Sequence, residues 1–333
     1  MKKLLQRLTE TVGPSGYEDK VRELVHKEVR SLADDVRVDA LGNLIVHKHP
    51  SKATNDSKKI MIAAHMDEIG VIVSHVDEHG FVRFSPIGGV FRKYILGGRV
   101  RFLNGTPGVI GFDRLENVNE LPEADKVYID VGATSRKDCP VKIGDIAAFD
   151  RPYIELGNRL VAKSMDNRVG VLIAIETLRG LKSSPHDVYF VFTTQEEVGV
   201  RGAATSAYGV DPDIGIALDV TPSGDTPNAL RMEMTLGKGP CIKIQDVDMI
   251  ADPRLVNWMI HAAEKNKIPY QREVLLIGWT DAKAIQKTRA GVPASAISVP
   301  VRYVHSPSEM VDFSDVLNAI KLLLAVLRTP IDL

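Results

Sequence analysis

The sequence has few of the features that mark several common classes of protein. Its two cysteines, Cys139 and Cys241, lie far apart and follow no C-x-x-C spacing, which argues against a thiolate metal site or a disulfide framework. The 42 basic and 43 acidic residues nearly cancel, so neither nucleic acid nor an anionic membrane is expected as a partner. The late apolar run LLLAVL is too short to span a bilayer. The basic N-terminal segment is interrupted at Gln6 and Arg7, unlike a signal peptide, so a cytoplasmic protein is expected.

Several common catalytic motifs are also missing. The chain has no G-x-S-x-G elbow, no P-loop, no H-E-x-x-H pair and no G-x-G-x-x-G turn. Any active site must therefore be found from the placement of individual side chains along the predicted elements.

The hydrophobic pattern predicts an α/β domain that is interrupted by a β domain. An amphipathic helix is predicted at the N-terminus, a second one follows Ser15 and Glu18, which have capping-box spacing, and the polar segment 51–59 is predicted to be a loop. From about Gly70 to Asn158 the chain shows short alternating runs separated by glycine and proline, a pattern typical of a small barrel or sandwich. Helix–strand alternation then resumes, with helices predicted near 253–266, 280–290 and 314–328. We predict a discontinuous α/β domain over 1–67 and 162–333, and a β domain over 68–161.

Catalytically capable side chains follow four of the predicted strands. IMIAA ends in His65, VYFVFTT leads into Glu196 and Glu197, IGIAL ends in Asp219, and ISVPVRYV ends in His305. In an open α/β sheet, ligands collect beyond the carboxyl ends of the strands, so these side chains are expected at one edge.

Asp166 is expected at the same edge, from the start of a helix predicted to begin near Asn167. A helix N-cap is the simpler interpretation of Asp166, and strand-end acids often bond loop amides. The convergence of all these positions on one edge favours a functional site. Six other histidines lie in loops, short strands or helix faces and are assigned no role: His47, His49, His75, His79, His186 and His261.

Histidine and carboxylate ligands without thiolate suit an open catalytic site for Zn²⁺ or Co²⁺, with Mn²⁺ as a further candidate. Two histidines and three acids exceed the needs of one catalytic zinc, but they serve two metals when one carboxylate bridges. Three carboxylates and a bridging hydroxide offset the four positive charges, which leaves one acid free to act as a base. Adjacent residues in extended chain point in opposite directions, so Glu196 and Glu197 are expected to have different roles.

Asp67 lies two residues beyond His65 and on the same side if the strand continues. It could accept the second imidazole N–H and so orient the ring, or it could be an ordinary loop cap.

The sequence resembles the cytoplasmic dinuclear metalloaminopeptidases of clan MH, which include glutamyl aminopeptidase and the tetrahedral deblocking aminopeptidases; some members carry the label endoglucanase. The resemblance extends nearly end to end through VGPSGYED, DALGNLIV, AAHMDEIG, LGNRLVAKSMDNRVG, TTQEEVGVRGA, ALDV and RYVHSP. It implies a zinc-exopeptidase type of mixed sheet flanked by helices, with an inserted PDZ-like barrel that mediates dimerisation. Assembly into a homo-oligomer, from a dimer to a dodecamer, is implied as well.

The resemblance also implies a role for each site residue. One metal would be held by His65, Asp166 and Asp219, and the other by Asp166, Glu197 and His305. Glu196 would be the general base for a water activated between the two metals, and Asp67 would orient His65. The substrates would be short peptides that lose their N-terminal residues.

Three local features of the sequence relate to this resemblance. The family places a cis peptide bond after the bridging acid, which predicts one at Asp166–Asn167. Two positions depart from the family pattern: Trp279 stands where a small residue is usual, and Asn167 replaces the second acid of an Asp–Asp pair. Neither is an expected ligand, but both could alter the choice of substrate.

Two alternatives remain open at this point. A glycoside hydrolase would use paired carboxylates and usually aromatic platforms, which the 6% aromatic content and the histidines beside the acids disfavour. A non-catalytic scaffold that keeps a metal site for folding would not need the spare acid of the Glu196–Glu197 pair.

Overall fold

The computed structural model describes residues 1–52, 57–117 and 119–331. Residues 53–56 of the predicted loop 51–59 lie outside the described residues. Within the described part of the chain, no helix is long and apolar enough to cross a membrane.

The described chain contains the helices predicted from the sequence and two that were not predicted, at 92–95 and 201–210. The helices are α1 (Lys2–Glu10), α2 (Asp19–Val29), α3 (Arg92–Ile95), α4 (Met165–Gly180), α5 (Arg201–Val210), α6 (Pro253–Lys265), α7 (Ala282–Gln286) and α8 (Phe313–Arg328). The capping box predicted for α2 is wrong, because its N-cap is Glu18 and no side chain caps the helix.

The strands of the described residues form two separate sheets. In chain order they are β1 (Asp35–Val38), β2 (Leu44–Lys48), β3 (Lys59–His65), β4 (Gly70–Val76), β5 (Val82–Ile87), β6 (Arg99–Phe102), β7 (Pro107–Phe112), β8 (Val127–Asp130), β9 (Ile146–Phe149), β10 (Ile154–Leu156), β11 (Arg159–Ala162), β12 (Asp187–Thr193), β13 (Ile214–Pro222), β14 (Cys241–Gln245), β15 (Gln271–Val274), β16 (Ala294–Arg302) and β17 (Glu309–Asp312).

The large sheet is mixed, and its centre is parallel. Its main path runs β1-β2-β12-β3-β13-β16-β17-β11-β10, with β14 and β15 attached beside β16. The four neighbouring strands β12, β3, β13 and β16 are mutually parallel, so their carboxyl ends share one edge. This arrangement confirms the predicted mixed sheet flanked by helices.

Both faces of this parallel centre are buried, which explains its nearly continuous apolar strands. On β3, Ile60 and Ile62 join the large core with α4 and α8, whereas Met61 and Ala63 face the smaller core formed with α5 and α7. The alternation of side chains along the strand sends neighbouring residues to opposite cores.

The six strands β4, β5, β8, β7, β6 and β9 close into an antiparallel barrel with a core of its own. This finding confirms the predicted inserted barrel. The predicted boundary at residue 161 differs from the strand membership, because the barrel strands end at Phe149. The following hairpin of β10 and β11 pairs through β17 with the large sheet, and Leu160 and Ala162 join its core.

Candidate active site

The parallel strands bring the predicted site residues to one edge of the large sheet. His65 is the last residue of β3, and Glu196 and Glu197 follow β12 after a short turn. His305 lies in the turn after β16. Asp219 was expected at the end of its strand, but β13 continues to Pro222 because its pairing with β16 also continues.

Asp166 lies at the centre of the cluster and faces both histidines. Its Oδ1 lies 3.1 Å from His65 Nε2, and its Oδ2 lies 3.4 Å from His305 Nε2. One carboxylate therefore presents a separate oxygen to each imidazole.

The other acids divide between the two imidazoles. Asp219 Oδ1 and Glu196 Oε2 lie 3.8 and 3.9 Å from His65 Nε2. Glu197 Oε2 lies 3.3 Å from His305 Nε2. Ligand atoms from His65, Asp166 and Glu197 all lie within 4.8 Å of one another, so the surroundings of the two imidazoles adjoin at Asp166.

The electrostatics of the cluster favour bound cations. Burial raises the pKa of Glu197 to about 7, although His305 opposes the shift. Burial also raises the pKa values of Glu196 and Asp219 well above their usual ranges, and the neighbouring acids add to both shifts. The buried Oε1 of Glu197 has no hydrogen-bond partner within the described structure. Buried acids that repel one another and an unpartnered carboxylate oxygen fit residues that hold divalent cations.

Asp67 supports the cluster through contacts with His65, Glu196 and Glu197. Its Oδ1 lies 3.4 Å from His65 Nδ1, and its two oxygens accept the backbone N–H groups of Glu196 and Glu197 at 3.0 and 3.1 Å. Ser15 donates to Asp67 at 2.6 Å, a bond that the predicted capping role of Ser15 did not anticipate. Burial opposes ionisation of Asp67, but these contacts hold its pKa below the ordinary value.

The chain around Asp166 does not form a regular helix start. The Asp166–Asn167 peptide bond is cis, which confirms the prediction, and neither residue has helical backbone angles. Asp166 therefore does not cap α4. Asn167 instead donates to Leu218 O at 2.7 Å and accepts the backbone N–H of Gly170 at 3.1 Å, so its side chain joins the helix to β13.

Two buried acids at this edge were missed by the sequence analysis. Glu309 accepts the backbone N–H groups of Asp166 at 2.9 Å and His305 at 2.7 Å, so it ties together the segments that carry both residues. Asp281 accepts from Thr193 Oγ1 at 2.5 Å, and burial raises its pKa to about 6. In the sequence, Glu309 is an acid at the start of a strand and Asp281 an acid at the start of a helix. Only their long-range contacts distinguish them from other acids at such positions.

A cavity of about 440 Å³ opens onto the cluster. Besides the acids and histidines, it is lined by glycines and by these apolar residues: Phe91, Val220, Pro222, Leu275, Ile277, Trp279 and Val304. The bulky ring of Trp279, noted as a departure from the family pattern, therefore forms part of the cavity wall.

The chain is similar to known proteins in both sequence and fold. The profile of the M42 glutamyl aminopeptidase family matches residues 42–322. A lysyl aminopeptidase from Pyrococcus furiosus is 35% identical over 340 residues, covering 98% of this chain and 96% of the relative.

Two solved structures superpose closely. An aminopeptidase from the archaeon Desulfurococcus kamchatkensis has a TM-score of 0.94 and 43% identity, covering 99% of this chain and 94% of that one. A TET1 peptidase from Pyrococcus horikoshii, which can assemble into a tetrahedron or a large octahedral shell, has a TM-score of 0.88 and 32% identity. The match covers 98% of this chain and 99% of that one. The chain therefore belongs to the M42 glutamyl aminopeptidase family and is a peptide-bond hydrolase of the aminopeptidase type.

Proposed function

We propose that the chain is a dinuclear metalloaminopeptidase that removes N-terminal residues from short peptides. The observation that carries this proposal is the position of Asp166, whose two oxygens face His65 and His305 separately. A carboxylate shared in this way can bridge a pair of metal ions.

The donor set divides into two groups around the bridge. His65, Asp166 and Asp219 would hold one ion, and Asp166, Glu197 and His305 the other. Imidazole and carboxylate donors suit Zn²⁺ or Co²⁺, with Mn²⁺ also compatible. When bound, the two ions would polarise the scissile carbonyl and lower the pKa of a water molecule between them.

Glu196 is the general base in this proposal. Its backbone and that of Glu197 are both held by Asp67, but their carboxylates approach different imidazoles. Glu196 would take the proton from the attacking water and pass it to the leaving amine. Asp67, beside His65 Nδ1, would hold that ring in the orientation that directs Nε2 to a metal.

The site itself weighs against the two alternatives. A glycoside hydrolase needs two carboxylates on opposite sides of a sugar, whereas here the acids cluster on two histidines. A scaffold that needs metal only for folding would have no use for Glu196. Assays of the metal-loaded protein on aminoacyl amides and on carboxymethylcellulose separate these functions: hydrolysis of the polysaccharide alone would contradict our proposal.

The cavity wall predicts a preference for apolar N-terminal side chains. Outside the acid–histidine cluster, no charged side chain is among the described residues that line the cavity. A charged substrate side chain would lose its hydration there without gaining a partner. We expect kcat/KM for leucyl and phenylalanyl amides to exceed that for glutamyl and lysyl amides by about 10-fold or more.

Trp279→Gly should weaken this preference, because it removes apolar wall area and restores a small residue. Comparison of kcat/KM across the four amides tests the effect, and Tyr208→Ala, which removes an exposed aromatic residue outside the cavity, is the matched control. A wild-type preference for the glutamyl or lysyl amide would contradict this assignment.

The β domain is proposed to mediate assembly. It is inserted beside the active site, yet it supplies none of the proposed ligands. Its surface exposes the large apolar side chains Val109, Phe112 and Ile143, which are 50%, 43% and 66% exposed. Large exposed apolar side chains suit pairing with another subunit when they share one patch, which is the arrangement we propose for this domain.

We therefore expect a dimer as the minimum unit and a dodecamer when metals are bound. Removal of metal should shift the distribution to smaller species, because ions that bind the assembled form stabilise it by mass action. Light scattering with and without chelator measures this shift, and a monomer under metal-replete conditions would disprove it.

A further inference from the structure

A second group of potential metal ligands lies at the opposite edge of the large sheet. It consists of His47 on β2, His49 one residue beyond that strand, and Asp187 at the start of β12. Because β12 runs seven residues from this edge toward the active site, the two groups are separated by roughly 20 Å.

The strand register explains why these side chains meet. β2 and β12 are antiparallel, with His47 opposite Tyr189 and Lys48 opposite Val188. Residues two apart on a strand share a face, so the two histidines lie on the same side as Asp187 and Tyr189.

The distances suit a single ion. His47 Nε2 lies 2.6 Å and His49 Nδ1 lies 3.9 Å from Asp187 Oδ1, and one ligand atom from each residue lies within 4.8 Å of the others. The two imidazole rings are 4.3 Å apart between centroids. Zinc binding would draw these donors to bond lengths of about 2.0–2.2 Å from one ion.

Neighbouring contacts hold part of the group in place. The ring of Tyr189 stacks on that of His47 at 4.0 Å with an interplanar angle of 11°. Asp34 accepts the backbone N–H of His49 at 2.8 Å and adds negative charge nearby. The side chain of His47 is 13% exposed and that of His49 is 64% exposed, so water can complete the coordination from the solvent side.

We propose that His47, His49 and Asp187 form a separate site for a divalent transition metal of the Zn²⁺, Ni²⁺ or Cu²⁺ class. Two imidazoles and one carboxylate are donors that these ions prefer, and they leave one position open for water. A bound ion joins the end of β2 to the start of β12. It does not contact the cavity, so it stabilises this edge of the sheet and leaves the peptidase chemistry unchanged.

Zinc uptake by wild type and by His49→Ala tests the site. Each protein is stripped of metal, dialysed against micromolar ZnCl₂ and analysed for zinc per chain by mass spectrometry. We expect His49→Ala to bind one ion fewer than wild type and to retain wild-type peptidase activity. The difference in zinc content between the two proteins reports only the new site, because the acids and histidines around Asp166 are unchanged.

Two further variants make the result decisive. Asp187→Asn should also lose about one ion, whereas His79→Ala, which removes an exposed histidine of the barrel beside Glu78, should lose none. Cu²⁺ titration followed by electron paramagnetic resonance should show one nitrogen-coordinated Cu²⁺ site fewer in His49→Ala than in wild type, because the active-site histidines are present in both proteins. Equal zinc uptake by wild type and His49→Ala would overturn the proposal and leave His47–Asp187 as a structural hydrogen bond.

Discussion

Glu196→Gln is expected to lower turnover by about 10²–10⁴-fold, the usual effect of removing a general base. Glutamine keeps the size of the side chain and its backbone bond to Asp67, so the fold and the metal content should not change. Turnover of a leucyl amide, with metal content measured on the same samples, tests this expectation.

Glu197→Gln is the matched variant, because its backbone is held by the same carboxylate but its side chain approaches His305. It should weaken the binding of one ion and lose activity mainly through that ion, so excess metal should restore part of the activity. Excess metal should not restore Glu196→Gln. Loss of an ion from Glu196→Gln, with both ions retained in Glu197→Gln, would reverse our assignment of the two glutamates.

Asp166→Asn is expected to have the second large effect, because Asp166 is shared between both halves of the site. Its oxygens lie 3.1 and 3.4 Å from His65 and His305, and an amide offers one acceptor and no charge to two cations. The metal ions would stabilise the transition state by several kcal/mol, so their loss should lower the rate by about 10³-fold or more. We expect Asp166→Asn to retain less than about one ion per chain and to be nearly inactive.

The control for Asp166→Asn is Asp19→Asn, which makes the same chemical change at an exposed position on α2. It should keep both metal content and activity. Circular dichroism and thermal unfolding of both variants identify any loss of fold. An Asp166→Asn protein that is folded and binds two ions as tightly as wild type would refute the bridging role.

The sequence by itself determined the layout of the fold, because local patterns carry that information. Continuous apolar runs such as IMIAA require a strand that is buried on both faces, and they predict a covered parallel sheet. The switch to short alternating runs after Gly70 predicts the barrel in the same way. Since parallel strands end at one edge, His65, Asp219 and His305 could be expected near one another before any contact was known.

Only the tertiary structure decided which side chains support and neighbour that cluster. Glu309 joins Asp166 to His305, and Ser15 donates to Asp67 across 52 positions of the chain. The local hydrophobic pattern of the sequence does not predict such contacts, because they depend on how separate elements pack in space. The same reason applies to His47 and Asp187, which are 140 residues apart and meet only because β2 and β12 pair in one particular register.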